Sequence, residues 1–337
     1  MDTSFLNGKT VLVTGGTGTF GRAFIKRALQ VGGIKKIILF SRDELKQSEV
    51  QAAYPNEPRL RYFLGDIRNR ERLTRAFRGV DIVVHAAALK QVPATEFNPT
   101  EAIATNIDGT QNIVEAAIDC GVSRAILVSS DKAVEPINLY GATKLCAERL
   151  FIAANALVGA NGPTFSVMRY GNVIGSRGSF VELIERNRSK GVIGLTDKRM
   201  TRFWIRIDQV MDIVLESLSL MKGGEIFVPK MKDMAVKDVI TLLAPECKVE
   251  EIGIRPGEKL HERLVTQYEA PRTREIERMY VIRPEFTMRQ GAMDWLNDKP
   301  PVKMPFDLSS DNQELLLTKD EAAALFRDDV IGAERPR

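Results

Sequence analysis

The chain has 337 residues, 44% of them hydrophobic, enough to bury a sizeable core and to suggest about two domains of ~150 residues. Its formal charge of +4 comes from 48 basic and 44 acidic residues mixed along the chain, which excludes the basic runs that track a nucleic-acid backbone but suits phosphorylated small ligands. Cys120, Cys146 and Cys247 lie far apart without CxxC or Cys/His spacing, so neither a disulfide framework nor a metal site is expected, and all three read as buried thiols.

The N-terminal stretch MDTSFLNGKTVLVTGG enters a strand with no signal-peptide apolar region, and no apolar run reaches ~18 residues, so a soluble, cytoplasmic protein with no membrane partner is expected. Lys9 to Thr14 is a β-branched run ending in GGTGTFG, followed by an apolar helix pattern. Gly15, Gly18 and Gly21 stand at GxxGxxG spacing, which permits a tight turn, close backbone approach to a pyrophosphate and close packing of helix on sheet. Thr17, Thr19 and Phe20 of the same turn join them as cofactor candidates. The next strand, Lys36 to Phe40, ends in SRDELK. Arg42, helped by Ser41 and Lys46, can bind a 2′-phosphate, which points to NADP; the alternative is a solvated helix start with Asp43 as a ribose ligand. A third strand, Arg61 to Leu64, delivers Asp66 and Ile67 toward an adenine. A fourth, Asp81 to His85, runs into AAALKQVP, where Ala87 allows the backbone to lie against the cofactor and Lys90 is either a ligand contact or a surface lysine. His85, in an apolar run, reads as a packed neutral histidine. Thr105 to Cys120 is a helix pattern.

The segment Ala125 to Glu148, AILVSSDKAVEPINLYGATKLCAE, joins a buried strand, a polar turn and a helix start. Ser129, Ser130, Asp131 and Lys132 follow the strand where a parallel sheet places its ligands. Tyr140 and Lys144, four residues apart, share one helical face. A free tyrosine titrates near pH ~10, and a fixed ammonium nearby lowers that value, so Tyr140 could move a proton to or from a sugar hydroxyl. Alternation of strands and helices to this point means a parallel sheet covered on both faces.

Phe165 to Tyr170 is another strand, opening into GNVIGSRGSF. Asn172 follows its end, and Arg177, between Gly175 and Gly178, suits a diphosphate. A mixed pattern follows. MTRFWIRIDQVMDIVLESL reads as strand and helix, EIFVP as a strand and Val236 to Ala244 as a helix. In EEIGIRPGEKLHERL, Arg255 precedes a Pro-Gly turn and Glu258 and His261 are expected on a helix start. Arg202 and Arg255 are candidates for a diphosphate or uridine. From Tyr268 on, an irregular tail surrounds one strand, Met279 to Ile282.

The motifs TGGTGTFG, SRDELKQ, HAAALK, SSDKA, PINLYGATK, RYGNVIGSRGS, MTRFW and RPGEKLHE, in this order over almost the whole chain, resemble the extended short-chain dehydrogenase/reductases acting on nucleotide sugars, and within them the inverting UDP-N-acetylglucosamine 4,6-dehydratases. The resemblance implies an α/β fold, a doubly wound parallel sheet of Rossmann type with a smaller mixed α/β substrate lobe. Residues 1–170 would form the NADP-binding domain, with 205–230 returning to it, and 171–204 and 231–337 the UDP-sugar lobe. NADP, a UDP-linked amino sugar with Glu258 among its ligands, a homo-oligomer (dimer or hexamer) and a role in bacterial pseudaminic-type sugar synthesis are also implied. Retaining relatives carry an acidic residue where this chain has Lys132, and an inverting group with additional epimerase activity tends to lack Tyr140; Ser130 stands where threonine is frequent.

The implied reaction begins with hydride transfer from sugar C4 to NADP while Tyr140, supported by Lys144 and Ser130, takes the hydroxyl proton. The ketone acidifies the C5 hydrogen. Lys132 removes it, Asp131 protonates the departing C6 hydroxyl, and the hydride returns to C6. Lys132 must be neutral for this, so burial or a neighbouring cation is expected to depress its pKa. A nucleotide-sugar 4-epimerase would use Tyr140 and Lys144 without Asp131 or Lys132. A non-catalytic cofactor-binding sensor is the other alternative, and the intact tyrosine, lysine and acid set argues against it.

Overall fold

In a computed structural model of the chain, residues 2–159, 162–286 and 289–326 are described, so residues 287–288 and 327–337 of the expected second lobe lie outside them. Sixteen strands occur among the described residues: β1 (Thr10–Thr14), β2 (Lys36–Ser41), β3 (Leu60–Leu64), β4 (Ile82–His85), β5 (Arg124–Val128), β6 (Thr164–Met168), β7 (Asn172–Ile174), β8 (Val192–Leu195), β9 (Thr201–Arg206), β10 (Ile226–Pro229), β11 (Lys232–Ala235), β12 (Lys248–Glu251), β13 (Arg263–Val265), β14 (Thr273–Glu275), β15 (Met279–Ile282) and β16 (Leu308–Ser309). Nine form one sheet in the order β14-β15-β10-β6-β5-β4-β1-β2-β3, parallel from β3 to β10 and antiparallel at β15 and β14. This is the doubly wound α/β sheet. Its inner strands are apolar runs because helices cover both faces; every residue of β1 and of β4 is buried.

The order reverses between β1 and β4, which opens a crevice at their carboxyl ends where such sheets take ligands. The helix Ile207–Leu220 packs on the helix Thr19–Val31, joined by Arg27 and Asp212 at 2.8 Å, and β10 follows it into the sheet. Residues 273–282, expected in the sugar lobe, extend the same sheet as β14 and β15; their apolar Met279, Val281 and Ile282 pair with β10 and are fully buried. A separate apolar cluster around Ile174, Ile184, Ile193, Trp204, Val239 and Ile240 underlies the small sheet β11-β9-β7. Arg169, just after β6, ties the last third of the chain beneath this junction. Its buried guanidinium meets Glu148 at 2.7 Å and Glu269 at 3.2 Å and donates to the Leu264 carbonyl at 2.8 Å.

Three local expectations change. The helix expected from Thr105 begins with a π turn, Ala104–Asp108, before the α-helix Gly109–Asp119. The segment after Pro256 is not helical: Gly257 turns at φ +81°, and contacts of the Leu260 carbonyl with Thr201 and of Glu262 with Ser310 hold the chain extended. Of the three thiols, Cys146 is exposed and the other two are half-buried, because Cys146 lies off the helical stripe of Tyr140, Thr143, Lys144, Ala147 and Phe151 that faces the sheet. Among the described residues, no helix is long and apolar enough to cross a membrane.

Candidate active site

β1 ends where Gly15 turns at φ +68°, a conformation that favours glycine. A Cβ there would come 3.1 Å from the Ala87 backbone, and one on Gly21 would come 2.4 Å from Gly16 Cα, so these glycines let the crevice walls and the following helix close up. That helix starts at Gly18 with no side-chain cap, leaving its first N–H groups and positive dipole end toward the crevice, the arrangement that binds a pyrophosphate. Thr17 is buried, Thr19 Oγ1 accepts from the Arg177 N–H at 3.1 Å, and Phe20 stacks on Phe24. The turn fits a dinucleotide.

At the other end of the crevice, Arg42 is half-exposed with Nη1 3.9 Å from Asp66. Asp43 caps the helix Glu44–Ala53, accepting from the Lys46 N–H at 3.0 Å, and also pairs with Lys46 Nζ; cap and lysine therefore hold each other, which weakens both as ligands and leaves Arg42 as the better cation. Ser41 Oγ accepts from Gln47 at 3.0 Å. Asp66 is gripped by Arg68 at 2.8 Å; burial opposes its charge, but the Arg68 hydrogen bonds outweigh that and hold it below the usual carboxylate range. Ile67 packs beneath Gly109, where a Cβ would come 2.7 Å from its Cδ1.

On the β4 wall, Thr14 Oγ1 accepts from the N–H groups of Ala86 and Ala87, both at 3.2 Å, so its own proton goes to His85 Nδ1 at 2.7 Å. His85 Nε2 is then the protonated nitrogen, donating to Thr110 at 3.1 Å. Burial pushes His85 down to about 3: it is the packed neutral histidine expected. Asn106, not singled out from sequence, clamps the loop after β4, binding the Leu89 N–H and carbonyl and Thr143 Oγ1 at 2.8, 2.9 and 3.0 Å. Lys90 Nζ donates to the Arg177 carbonyl at 3.0 Å.

The turn after β5 is a short 3₁₀ helix, Asp131–Ala133, capped by Ser130. The Ser130 hydroxyl donates to Asp131 Oδ1 at 2.7 Å and Lys132 Nζ donates to the same oxygen at 3.1 Å, while Asp131 Oδ2 is buried with no partner among the described residues. The helix Leu139–Leu157 starts against this turn, capped by Asn138. Gly141 makes the approach possible, since a Cβ there would lie 2.2 Å from the Lys132 carbonyl. Tyr140 thereby reaches the cluster.

Two electrostatic expectations are corrected. Burial works against the Lys132 ammonium, yet Asp131 and Glu262 outweigh it and raise its pKa rather than depress it; Glu262, missed from sequence, stands 3.4 Å away. Lys144 is not the cation that favours the Tyr140 phenolate. Its Nζ donates to the Val128 carbonyl at 2.7 Å and burial pushes it down to about 8. Burial raises Tyr140, and Lys132 and Ser130 are the groups that work against that rise.

On the substrate side, Asn172 opens β7 with Oδ1 buried and without a partner among the described residues, like Ser129 Oγ at the adjoining strand end. Buried polar atoms without partners cost free energy unless a ligand or water meets them. Arg177 lies over the glycine turn, through its contacts with Thr19 and Lys90. Arg202 is largely buried, its donors taken by the carbonyls of Thr201, Lys259 and Leu260, so it organises the segment beside Lys132 instead of offering a free guanidinium to a diphosphate. Arg255 and Glu258 sit at the exposed Pro-Gly turn, 3.9 Å apart, and His261 Nδ1 meets Thr201 Oγ1 at 2.8 Å.

Sheet order, glycine turn and the Tyr140/Lys144 helix together define an extended short-chain dehydrogenase/reductase. The profile of the family described as "Polysaccharide biosynthesis protein" matches residues 11–284, and the chain belongs to that family. It is 46% identical to a UDP-N-acetylglucosamine 4,6-dehydratase (inverting) of Campylobacter jejuni subsp. jejuni serotype O:2, over 94% of this chain and 96% of that one. It is 36% identical to a UDP-glucose 4-epimerase of Rickettsia akari, over 97% and 98%. Among solved structures, Pen from Bacillus thuringiensis aligns with a TM-score of 0.88 at 36% identity, covering 97% of this chain and 99% of that one.

Proposed function

We propose that this protein is a UDP-N-acetylglucosamine 4,6-dehydratase that inverts C5 and recycles a bound NADP within each turnover. The observation that carries the reading is the Asp131/Lys132 pair, 3.1 Å apart between Ser130 and Tyr140, because an acid and a base side by side serve elimination and are superfluous for epimerisation. The dehydratase relative at 46% identity supports it, and Arg42 supports NADP over NAD. The glycine turn would hold the pyrophosphate, and the nicotinamide, when bound, supplies a reversible hydride acceptor. Tyr140 takes the proton of the C4 hydroxyl. Lys132 removes the C5 proton made acidic by the ketone, and Asp131 protonates the C6 hydroxyl as it leaves; C6 then regains the hydride taken from C4 and C5 regains a proton on its opposite face, which inverts that carbon. Asn172 and Arg177 orient the substrate and its phosphates, with Arg255 and Glu258 at the rim. The reading extends to a cytoplasmic homo-oligomer, dimer or hexamer, serving pseudaminic-type sugar synthesis; the exposed Phe97 and Ile103 offer an apolar surface for association.

Incubation with UDP-N-acetylglucosamine followed by mass spectrometry tests the reading. Dehydration removes the mass of one water, whereas epimerisation, the activity named for the Rickettsia relative, leaves the mass unchanged. An unchanged mass with an altered C4 configuration would establish the epimerase instead.

A further inference from the structure

Glu262 closes the RPGEKLHE segment and its carboxylate is buried. Oε1 lies 3.4 Å from Lys132 Nζ and 3.9 Å from Arg202 Nε; Oε2 lies 3.9 Å from Lys259 Nζ and has no hydrogen-bond partner among the described residues. Its backbone is fixed on both sides by Ser310, which accepts from the Glu262 N–H at 2.9 Å and donates to its carbonyl at 2.8 Å. The carboxylate therefore reaches Lys132 from a segment more than a hundred residues away in sequence. We propose that Glu262 is a positioning residue for the elimination: it holds Lys132 as an aimed ammonium, and Arg202 and Lys259 set how firmly it does so. The inference rests on the dehydratase reading. Passing one proton from Lys132 Nζ to Asp131 breaks an N–H bond and makes an O–H bond, leaving an amine and a carboxylic acid, the base and acid that elimination needs, with no change of net charge. Glu262 opposes that transfer by favouring the ammonium. Arg202 and Lys259 draw on the same carboxylate and moderate the opposition. The charged and titratable groups facing the cluster are Asp131 and Lys132 on the turn, Tyr140 on the helix, Tyr170 after β6, Arg202 on β9 and Lys259 on its own segment, with Lys90 and Glu135 farther out.

The test is a ¹⁵N-lysine NMR titration of the full chain, Lys132 being assigned with Lys132→Arg, in the unmutated protein, Glu262→Gln and Glu262→Asp. Lys132 of the unmutated protein is expected to remain an ammonium to the alkaline limit of the fold. Glu262→Gln should bring its titration down by about one unit or more, roughly a tenfold gain in amine at a given pH, and Glu262→Asp should shift it less in the same direction. The acid limb of kcat for dehydration should move to lower pH in parallel, with KM changed less than about threefold, a pattern a merely structural role would not produce. Lys132 signals that titrate together in the unmutated protein and Glu262→Gln, or that remain those of an ammonium to the alkaline limit in both, overturn the inference; should that variant not fold, unaltered titration in Glu262→Asp overturns it. This readout needs no turnover, so it fails separately from the dehydratase reading, which fails if the unmutated protein releases no dehydrated sugar.

Discussion

Lys132→Ala removes the ammonium that faces two buried carboxylates, Asp131 at 3.1 Å and Glu262 at 3.4 Å. At an effective dielectric of about 20, one such contact is worth about 5 kcal/mol before desolvation. Deleting one member of a buried pair costs ~3–5 kcal/mol. An unfolding entropy on the order of 0.7 kcal/mol/K for a chain of this size turns that into a fall of about 4–7 °C in apparent Tm. The loss depends on pH. Asp131 and Glu262 raise the Lys132 pKa in the folded protein, so the stability its ammonium contributes is fully present below the value of a free lysine, about 10.4, and is lost only as pH rises through the folded value. Differential scanning fluorimetry should therefore find the full gap of about 4–7 °C at pH 8. A gap below about 1 °C at pH 8 would refute the electrostatic account and make Lys132 a solvated turn residue.

Arg42→Ala should cost NADP about ten- to a hundredfold in affinity, the loss of an arginine–phosphate contact of roughly 1.5–3 kcal/mol, while leaving NAD binding unchanged; equal affinity for the two cofactors in the unmutated protein, by calorimetry, would reject the NADP assignment. Tyr140→Phe keeps the buried ring and removes the proton acceptor, so turnover should slow by roughly a hundredfold or more with UDP-sugar binding retained; a normal rate in single-turnover kinetics would remove Tyr140 from the mechanism.

Features encoded by short-range spacing were legible in the sequence. The glycine turn needs three residues of one type at fixed steps after a strand, Tyr140 and Lys144 need a helical repeat, and Asp131 and Lys132 need a strand end. Long-range contacts were not. Glu262 meets Lys132 only because Ser310 and Arg202 hold its segment extended, and a charged run after a Pro-Gly turn reads locally as a helix start. The direction of the Lys132 shift is not encoded locally for the same reason, since the second carboxylate comes from a distant segment. Lys144 had the expected position but not the expected partner: its ammonium turns to the Val128 carbonyl, and helical spacing alone does not specify that rotamer. Asn106 carried a local signal, a polar residue inside an apolar helix pattern, whose clamp on the loop after β4 emerges only from the π turn.

The central claim is that Asp131 and Lys132 perform an elimination that inverts C5, and the most direct measurement is the configuration and labelling of that carbon. The reaction is run in heavy water with UDP-N-acetylglucosamine, and the early product is followed by NMR before the ketone exchanges protons unaided. Removal of the C5 proton by Lys132 on one face and delivery of a solvent-derived deuteron on the other predicts a 4-keto-6-deoxy sugar of L-arabino configuration with deuterium at C5. A product of D-xylo configuration, or one lacking deuterium at C5, would contradict the account.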